Sequence, residues 1–402
     1  MLKKNNFFRS YFGNSKSYYQ NVTKTKKTLN SFLVDLKNFK VPLLESYEKD
    51  YEFDFSIATV KKFSNYKNIV IIGMGGSILG TKSIYSFLKK KIKKNVFFFD
   101  NLDSNLFSKY KKIRNLKNSC FIVAGKSGRT IETIVNLGVI FSKNLLKKKL
   151  IIIAEPTDNA LMTIANKYHA EIIEHKEFIS GRYSVLSETG MFPAALMGLN
   201  LMKFKNLKRL IKSKNFISTL IQNVACIYTL ISKKINNSVI LSYDSNLNDL
   251  GYWYQQLVAE SLGKKGKGIN PILSFGPKDH HSLLQLYLDG PKDKFFTFFN
   301  STIKENKLKL TQETIPDNMK FLKNKNLEFI INAQCNAMKN IFRLKQIPFR
   351  QITFNEKNEN KLGEIFTFFV LETILLARLM NINPFDQPAV EQVKIETKKF
   401  LR

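Results

Sequence analysis

Histidine and cysteine are scarce in this chain of 402 residues, at four and three respectively. No cluster of them has the spacing of a metal site, and no Gly-x-Ser-x-Gly elbow occurs. Metal-assisted hydrolysis and serine nucleophilic catalysis therefore drop out. The cysteines, Cys120, Cys226 and Cys335, are odd in number, far apart and embedded in apolar segments. They read as buried thiols in a reducing compartment. Long hydrophobic runs are missing too. The amino terminus, Met1-Leu-Lys-Lys-Asn-Asn-Phe-Phe-Arg-Ser, is not followed by an apolar stretch of signal-peptide length. The longest apolar segment, Leu362 to Met380, is broken by Glu364, Glu372 and Arg378 and reads as a buried helix. A cytoplasmic protein with no membrane partner is expected.

Acidic residues are also few, 32 against 64 lysines and arginines, for a formal charge of +32. The lysines come in short clusters (Lys89 to Lys91, Lys147 to Lys149, Lys264 to Lys267) with no basic tail or single dense stripe. A nucleic-acid partner is therefore not expected, while an anionic substrate gains from the field.

What is present is a repeated strand-then-helix grammar. From residue 68, apolar runs of strand length lead into small-residue loops and then helical periods: Asn68 to Ile72, Asn95 to Phe99, Ser119 to Ala124, Leu150 to Ala154 and Glu171 to Glu174. After the helix Glu188 to Leu201 and a lysine-rich connection it restarts with strands at Asn237 to Tyr243, Phe295 to Phe299 and Ile347 to Phe354. The helices Leu247 to Leu262, Phe329 to Leu344, Leu362 to Met380 and Asp386 to Phe400 accompany them. This predicts an α/β protein with parallel sheets covered on both faces, in two similarly ordered halves. The expected division is a helical segment at 1–60, α/β units at 61–200 and 201–384, and a carboxy-terminal helix at 385–402.

Anions collect where strands end in loops of exposed N–H groups and helix amino termini. Gly73-Met-Gly75-Gly76-Ser77 begins like a dinucleotide fingerprint and Asp100 ends the next strand, but Ile78 stands where the third glycine belongs. Gly125-Lys126-Ser127-Gly128-Arg129-Thr130-Ile131-Glu132-Thr133 sets three hydroxyls and two cations around one turn, suited to a phosphomonoester and lacking the triphosphate-loop spacing. In Trp253 to Gly268, Gln256 and Glu260 share one helix face, placing an amide one turn from a candidate general base. Gly181-Arg182-Tyr183-Ser184, His280-His281-Ser282 and Lys394 complete the candidates.

In order, these stretches resemble the glucose-6-phosphate (phosphoglucose) isomerase family. The matching segments are Ile72-Gly-Met-Gly-Gly-Ser-Ile-Leu-Gly80, Lys126-Ser-Gly-Arg-Thr-Ile-Glu-Thr133, Gly181-Arg-Tyr-Ser-Val-Leu-Ser187, Glu260-Ser-Leu-Gly-Lys264, His281-Ser282 through Gln285-Leu-Tyr287, and Asn383-Pro-Phe-Asp-Gln-Pro-Ala-Val-Glu-Gln-Val-Lys394. The resemblance implies two sugar-isomerase-type domains, each a parallel sheet between helices in three αβα layers. It also implies a hexose 6-phosphate substrate, no cofactor, and a homodimer. Ser77 and the loop Lys126 to Thr133 would hold the phosphate, with Ser127, Thr130 and Thr133 at the hydroxyl positions and Gly75, Gly76 and Gly181 lining the site. Glu260 would be the base and Arg182 the cation on the enediolate. His281, from the neighbouring subunit, and Lys394 would open the sugar ring, while Gln256 and Gln387 orient substrate oxygens.

Three positions depart from the family. Gly125 stands where a serine is common, Arg129 where a threonine is, and His280 where a glutamine is. Wider use of mannose 6-phosphate, or a sugar-phosphate sensor without catalysis, are the alternative readings.

Overall fold

The computed structural model describes residues 6–111, 113, 116–141, 149–303, 308–311, 313 and 315–402. Five strands, Asn68–Gly73 (β1), Asn95–Phe99 (β2), Ser119–Ala124 (β3), Leu150–Ala154 (β4) and Glu171–Glu174 (β5), pair in parallel in the order β2-β1-β3-β4-β5. Asn237–Ser242 (β6), Asn270–Phe275 (β7), Lys294–Ser301 (β8) and Phe349–Phe354 (β9) make a second parallel sheet, ordered β7-β6-β8-β9. Each sheet sets its first strand between its second and third and adds the fourth outside. The two halves therefore share one winding.

The apolar runs are continuous because both faces of each sheet are buried. Ile69 and Ile71 of β1 enter a central core, joined there by Ile240, Phe295 and Phe299 of the second sheet. Val70 and Ile72 face an outer core with Leu137, Ile140 and Leu161. Val239, Leu241, Phe296 and Phe298 face a third core with Cys335, Met338 and Phe342. Each sheet thus lies between helices in three αβα layers, and the inner helical layer serves both.

That inner layer holds the helices Lys16–Lys37, Leu79–Leu88, Glu188–Leu196, Lys214–Ser232, Asn248–Leu262 and Glu359–Met380. Lys214–Ser232 lies where the sequence suggests only a lysine-rich connection. It is the one described helix long and apolar enough to cross a membrane, and it packs instead against Lys16–Lys37 and Glu359–Met380. Its buried polar residues are matched: Asn223 Nδ2 donates to the Thr219 carbonyl (2.8 Å) and Thr229 Oγ1 to that of Ala225 (2.7 Å), while Asn223 Oδ1 accepts from Arg350 and Thr229 Oγ1 from Asn21.

The structure differs from the sequence pattern at two further places: β7 has no counterpart among the expected strands, and the final helix begins at Glu391 rather than Asp386. The loop Lys126 to Thr133 runs into the helix Ile131–Phe141, and 142–148 fall outside the described residues. All three cysteines are free and buried.

Candidate active site

Seven apolar or small side chains of the helix Asn248–Leu262, among them Leu250, Trp253, Leu257 and Ser261, are buried, which turns Gln256 and Glu260 to its open side. Gln256 Nε2 donates to Glu260 Oε1 at 2.9 Å, as the four-residue spacing allows. The Gly263 N–H closes the helix on the Ala259 carbonyl at 2.9 Å.

Opposite stands Arg182, in the short helical turn Gly181–Leu186 and 2% exposed. A buried guanidinium is tolerable only when its N–H groups are matched. Nε donates to Ser261 Oγ (2.9 Å), and Nη2 to the carbonyls of Pro384 (2.6 Å) and Asp386 (3.0 Å). Nη1 donates to Gln387 Oε1 (2.7 Å) and Glu260 Oε2 (3.3 Å). The result is a carboxylate open to the outside with a fixed cation against it. That pairing can take a proton from carbon and neutralise the oxyanion that forms.

The glycines bring the first loop to this pair. A Cβ on Gly76 would lie 2.2 Å from the Gly181 carbonyl carbon and 2.5 Å from the Arg182 nitrogen, so the backbones touch. Gly75, at φ +52, leaves only 2.8 Å between such a Cβ and Gln256 Nε2. Ser77 is buried just behind. Asp100, the candidate ribose acid, is taken by Lys82 at 2.6 Å, which answers the incomplete dinucleotide fingerprint.

Because β1 and β3 are neighbours, the second loop leaves the sheet edge beside the first. Gly128, at φ +62, closes its turn against Asn159. Thr133 is buried with Oγ1 lacking a hydrogen-bond partner among the described residues, Thr130 is half-buried and Ser127 exposed. Lys126 donates to the Glu177 carbonyl (2.6 Å) and pairs with the Glu155 carboxylate at 3.5 Å, while Arg129 Nη2 donates to the Asp158 carbonyl (3.3 Å).

The family pattern described as phosphoglucose isomerase matches residues 33–276. A glucose-6-phosphate isomerase of Methanocaldococcus jannaschii is 33% identical over 376 residues, 90% of this chain and 92% of that one. The chain belongs to the phosphoglucose isomerase family. Among solved structures, a hypothetical protein of Thermus thermophilus shares the fold at TM-score 0.76 and 20% identity, covering 98% of this chain and 92% of its own. A glucose-6-phosphate isomerase of Chlamydia trachomatis does so at 0.68 and 18%, covering 85% and 70%.

This member of the phosphoglucose isomerase family gathers Gly75, Gly76, Gly181, Arg182, Gln256, Glu260 and Gln387 at one place. Among the described residues, His281 and Lys394 are not bonded to this group. His281 is exposed at the end of the turn Lys278–His281 beyond β7, and among the described residues no hydrogen bond or ion pair joins it to Glu260. Its neighbour His280 meets the Tyr243 hydroxyl at 2.5 Å, and burial, with His281 beside it, lowers its pKa. Asp279 underpins the turn. Its burial opposes ionisation, but donors from Phe275 N–H, Ser274 and Ser282 outweigh that and hold its carboxyl low. Lys394 projects from the wholly exposed helix Glu391–Phe400 and pairs with Glu391 at 2.6 Å. The carboxy-terminal arm therefore reaches this site through Pro384, Asp386 and Gln387, and its helix Glu391–Phe400 is exposed throughout.

Sequence reasoning passed over the acceptors behind Arg182. Ser261 lies inside the stretch Glu260 to Lys264, but two of the others are main-chain carbonyls, which carry no side-chain signal. The family departure at Gly125 is sterically mild: a Cβ there would meet only Leu161 Cδ1, at 3.1 Å, within 3.4 Å.

Proposed function

We propose that this chain interconverts glucose 6-phosphate and fructose 6-phosphate. The observation that carries the reading is the open carboxylate of Glu260 held between the Gln256 amide and the buried Arg182 guanidinium.

With the open-chain sugar bound, Glu260 takes the proton from carbon 2 of the aldose while the carbonyl oxygen at carbon 1 becomes the enediolate oxygen. Arg182 Nη1 supports that charge as it develops. The carbon–carbon double bond of the cis-enediol then collapses to a carbonyl at carbon 2, and Glu260 returns the proton to carbon 1. The hydroxyl proton passes between the two oxygens, so atoms and charge balance with no redox partner. Gln256 and Gln387 orient the sugar oxygens. Ser77 with Lys126, Ser127, Arg129, Thr130 and Thr133 receives the phosphate, where the unpaired Thr133 hydroxyl is a ready donor.

Ring opening falls to His281 and Lys394. Both are exposed in one chain, which supports a homodimer whose sites borrow His281 from the partner subunit. The reaction belongs to glycolysis and gluconeogenesis in the cytoplasm.

A coupled assay from fructose 6-phosphate to glucose 6-phosphate, on wild type and Glu260→Gln side by side, tests the reading. Turnover in the variant is expected to fall by roughly three or more orders of magnitude with sugar-phosphate binding retained. Near-normal turnover in the variant refutes the base.

A further inference from the structure

The contacts behind Arg182 form a closed circuit, and its end members fix the direction of every hydrogen bond. A guanidinium only donates and a carbonyl only accepts, whereas a hydroxyl does both. Arg182 Nε donates to Ser261 Oγ at 2.9 Å, and the Tyr183 hydroxyl lies 2.8 Å from the same oxygen. Tyr183 in turn donates to the Pro384 carbonyl at 3.2 Å, so the remaining proton, that of Ser261, must point to Tyr183. The circuit closes when Arg182 Nη2 donates to the same Pro384 carbonyl at 2.6 Å.

All of this lies in the dark interior of the site. Ser261 and Tyr183 are 0% exposed and Arg182 2%. The Tyr183 ring stands 5.3 Å from the guanidinium carbon, and Phe385 packs against that ring at 5.8 Å, beside the Pro384 carbonyl it helps to hold. Ser180 Oγ donates to the Phe385 carbonyl at 3.0 Å, fixing the same arm from its other side. By contrast, the acceptors on Nη1 are Gln387, which is exposed, and Glu260, whose side chain is 31% exposed.

We propose that Ser261 and Tyr183 are positioning residues that lock the Arg182 guanidinium through this circuit, so that Nη1 alone faces the sugar. The inference rests on the roles given above to Arg182 and Glu260. Free of the circuit, the guanidinium can turn about its Cδ–Nε bond and lose its aim at the developing oxyanion. Fixed donors matter most where charge appears in the transition state, so the loss belongs to turnover rather than to binding. Ser261 also sits next to Glu260 in the chain. One helical turn therefore carries the base and the group that aims its counter-charge.

Steady-state kinetics of Ser261→Ala, Ser261→Thr, Tyr183→Phe and the double variant Ser261→Ala/Tyr183→Phe decide it, with Glu260→Gln alongside. Ser261→Ala is expected to lower kcat about 10- to 100-fold with KM within roughly threefold, the scale of a small misplacement. Ser261→Thr, which keeps the hydroxyl, restores most of kcat. Tyr183→Phe leaves Ser261 as acceptor but opens the circuit and gives a smaller loss. The double variant is no worse than Ser261→Ala alone, because both act through one ring. Wild-type kcat in Ser261→Ala and Tyr183→Phe, with Glu260→Gln inactive, overturns the lock and leaves the site standing. An active Glu260→Gln overturns the site itself. Should Ser261→Ala fail to fold, Tyr183→Phe decides on the same criterion: unchanged kcat refutes the lock.

Discussion

Lys205 carries an ammonium into the interior, at 0% exposure, with no hydrogen-bond partner among the described residues. It lies over the rings of Phe53 (3.9 Å) and Tyr51 (4.3 Å), which replace only part of its lost hydration. Burial pulls its pKa down to about 7. The charge of Glu188 pulls the other way, Lys176 adds to the fall, and Asp50 and Glu48 offset a little of it. Glu188 is itself raised by burial, although Tyr51 (2.9 Å) and the Asp54 N–H (3.2 Å) donate to it.

The sign is that of a depressed base. The cost of burying the charge is complete below the folded pKa near 7 and fades as pH rises toward the unfolded value of 10.5, where the unfolded chain binds more protons. Wild type should therefore gain stability over Lys205→Met by up to about 1.4 kcal/mol per pH unit above pH 7. Denaturant unfolding of both proteins at neutral and alkaline pH checks this. A stability difference that does not change with pH contradicts it.

At the scale of elements, what the sequence disclosed and what it hid have separate physical causes. Eight of the nine strands are legible because they are short runs rich in β-branched or aromatic residues with no helical period, most of them buried on both faces. β7 was not, since Asn270 and Pro271 open it like a loop and it lies at the sheet edge, where proline is tolerated. The helix Lys214–Ser232 was masked by asparagine and threonine in its buried positions, which look solvated until their bonds to the preceding turn are seen. In the site, Glu260, Arg182 and the glycine loops were legible as charges and turns. The carbonyls of Pro384 and Asp386 were not, because any residue supplies one.

The contact between the first loop and the Arg182 turn is the element-scale feature most open to test. Gly76→Ala would drive a Cβ into backbone at 2.2 to 2.5 Å, and backbone cannot swing aside as a side-chain end can. A stability loss of roughly 1–3 kcal/mol is expected, together with a fall in kcat as Arg182 moves from Glu260. Thermal unfolding and the isomerase assay measure both. A variant as stable and active as wild type would show that the two backbones are not in register.

For the whole molecule, two parallel sheets share one inner helical layer, and the base helix Asn248–Leu262 lies in it against both Leu79–Leu88 and Glu359–Met380. Base, cation and first loop are therefore fixed to one rigid layer. His281 and Lys394 stand outside it, on exposed segments. If each site takes His281 from the partner subunit, mixing inactive Glu260→Gln with inactive His281→Ala should restore activity. Each mixed dimer holds one intact site, so random exchange returns roughly a quarter of wild-type sites. No recovery after subunit exchange would place His281 in its own chain's site or outside catalysis.

In the proposed reaction Glu260 moves a proton between carbons. Isomerisation in heavy water, followed by mass spectrometry of both sugar phosphates, tests it most directly. Because the Glu260 side chain is 31% exposed, its captured proton can exchange with solvent before return. Deuterium should therefore enter at carbon 1 of fructose 6-phosphate and carbon 2 of glucose 6-phosphate, and Glu260→Gln should abolish it. Isomerisation over many turnovers with no deuterium in either sugar would contradict the account of an open, exchanging carboxylate.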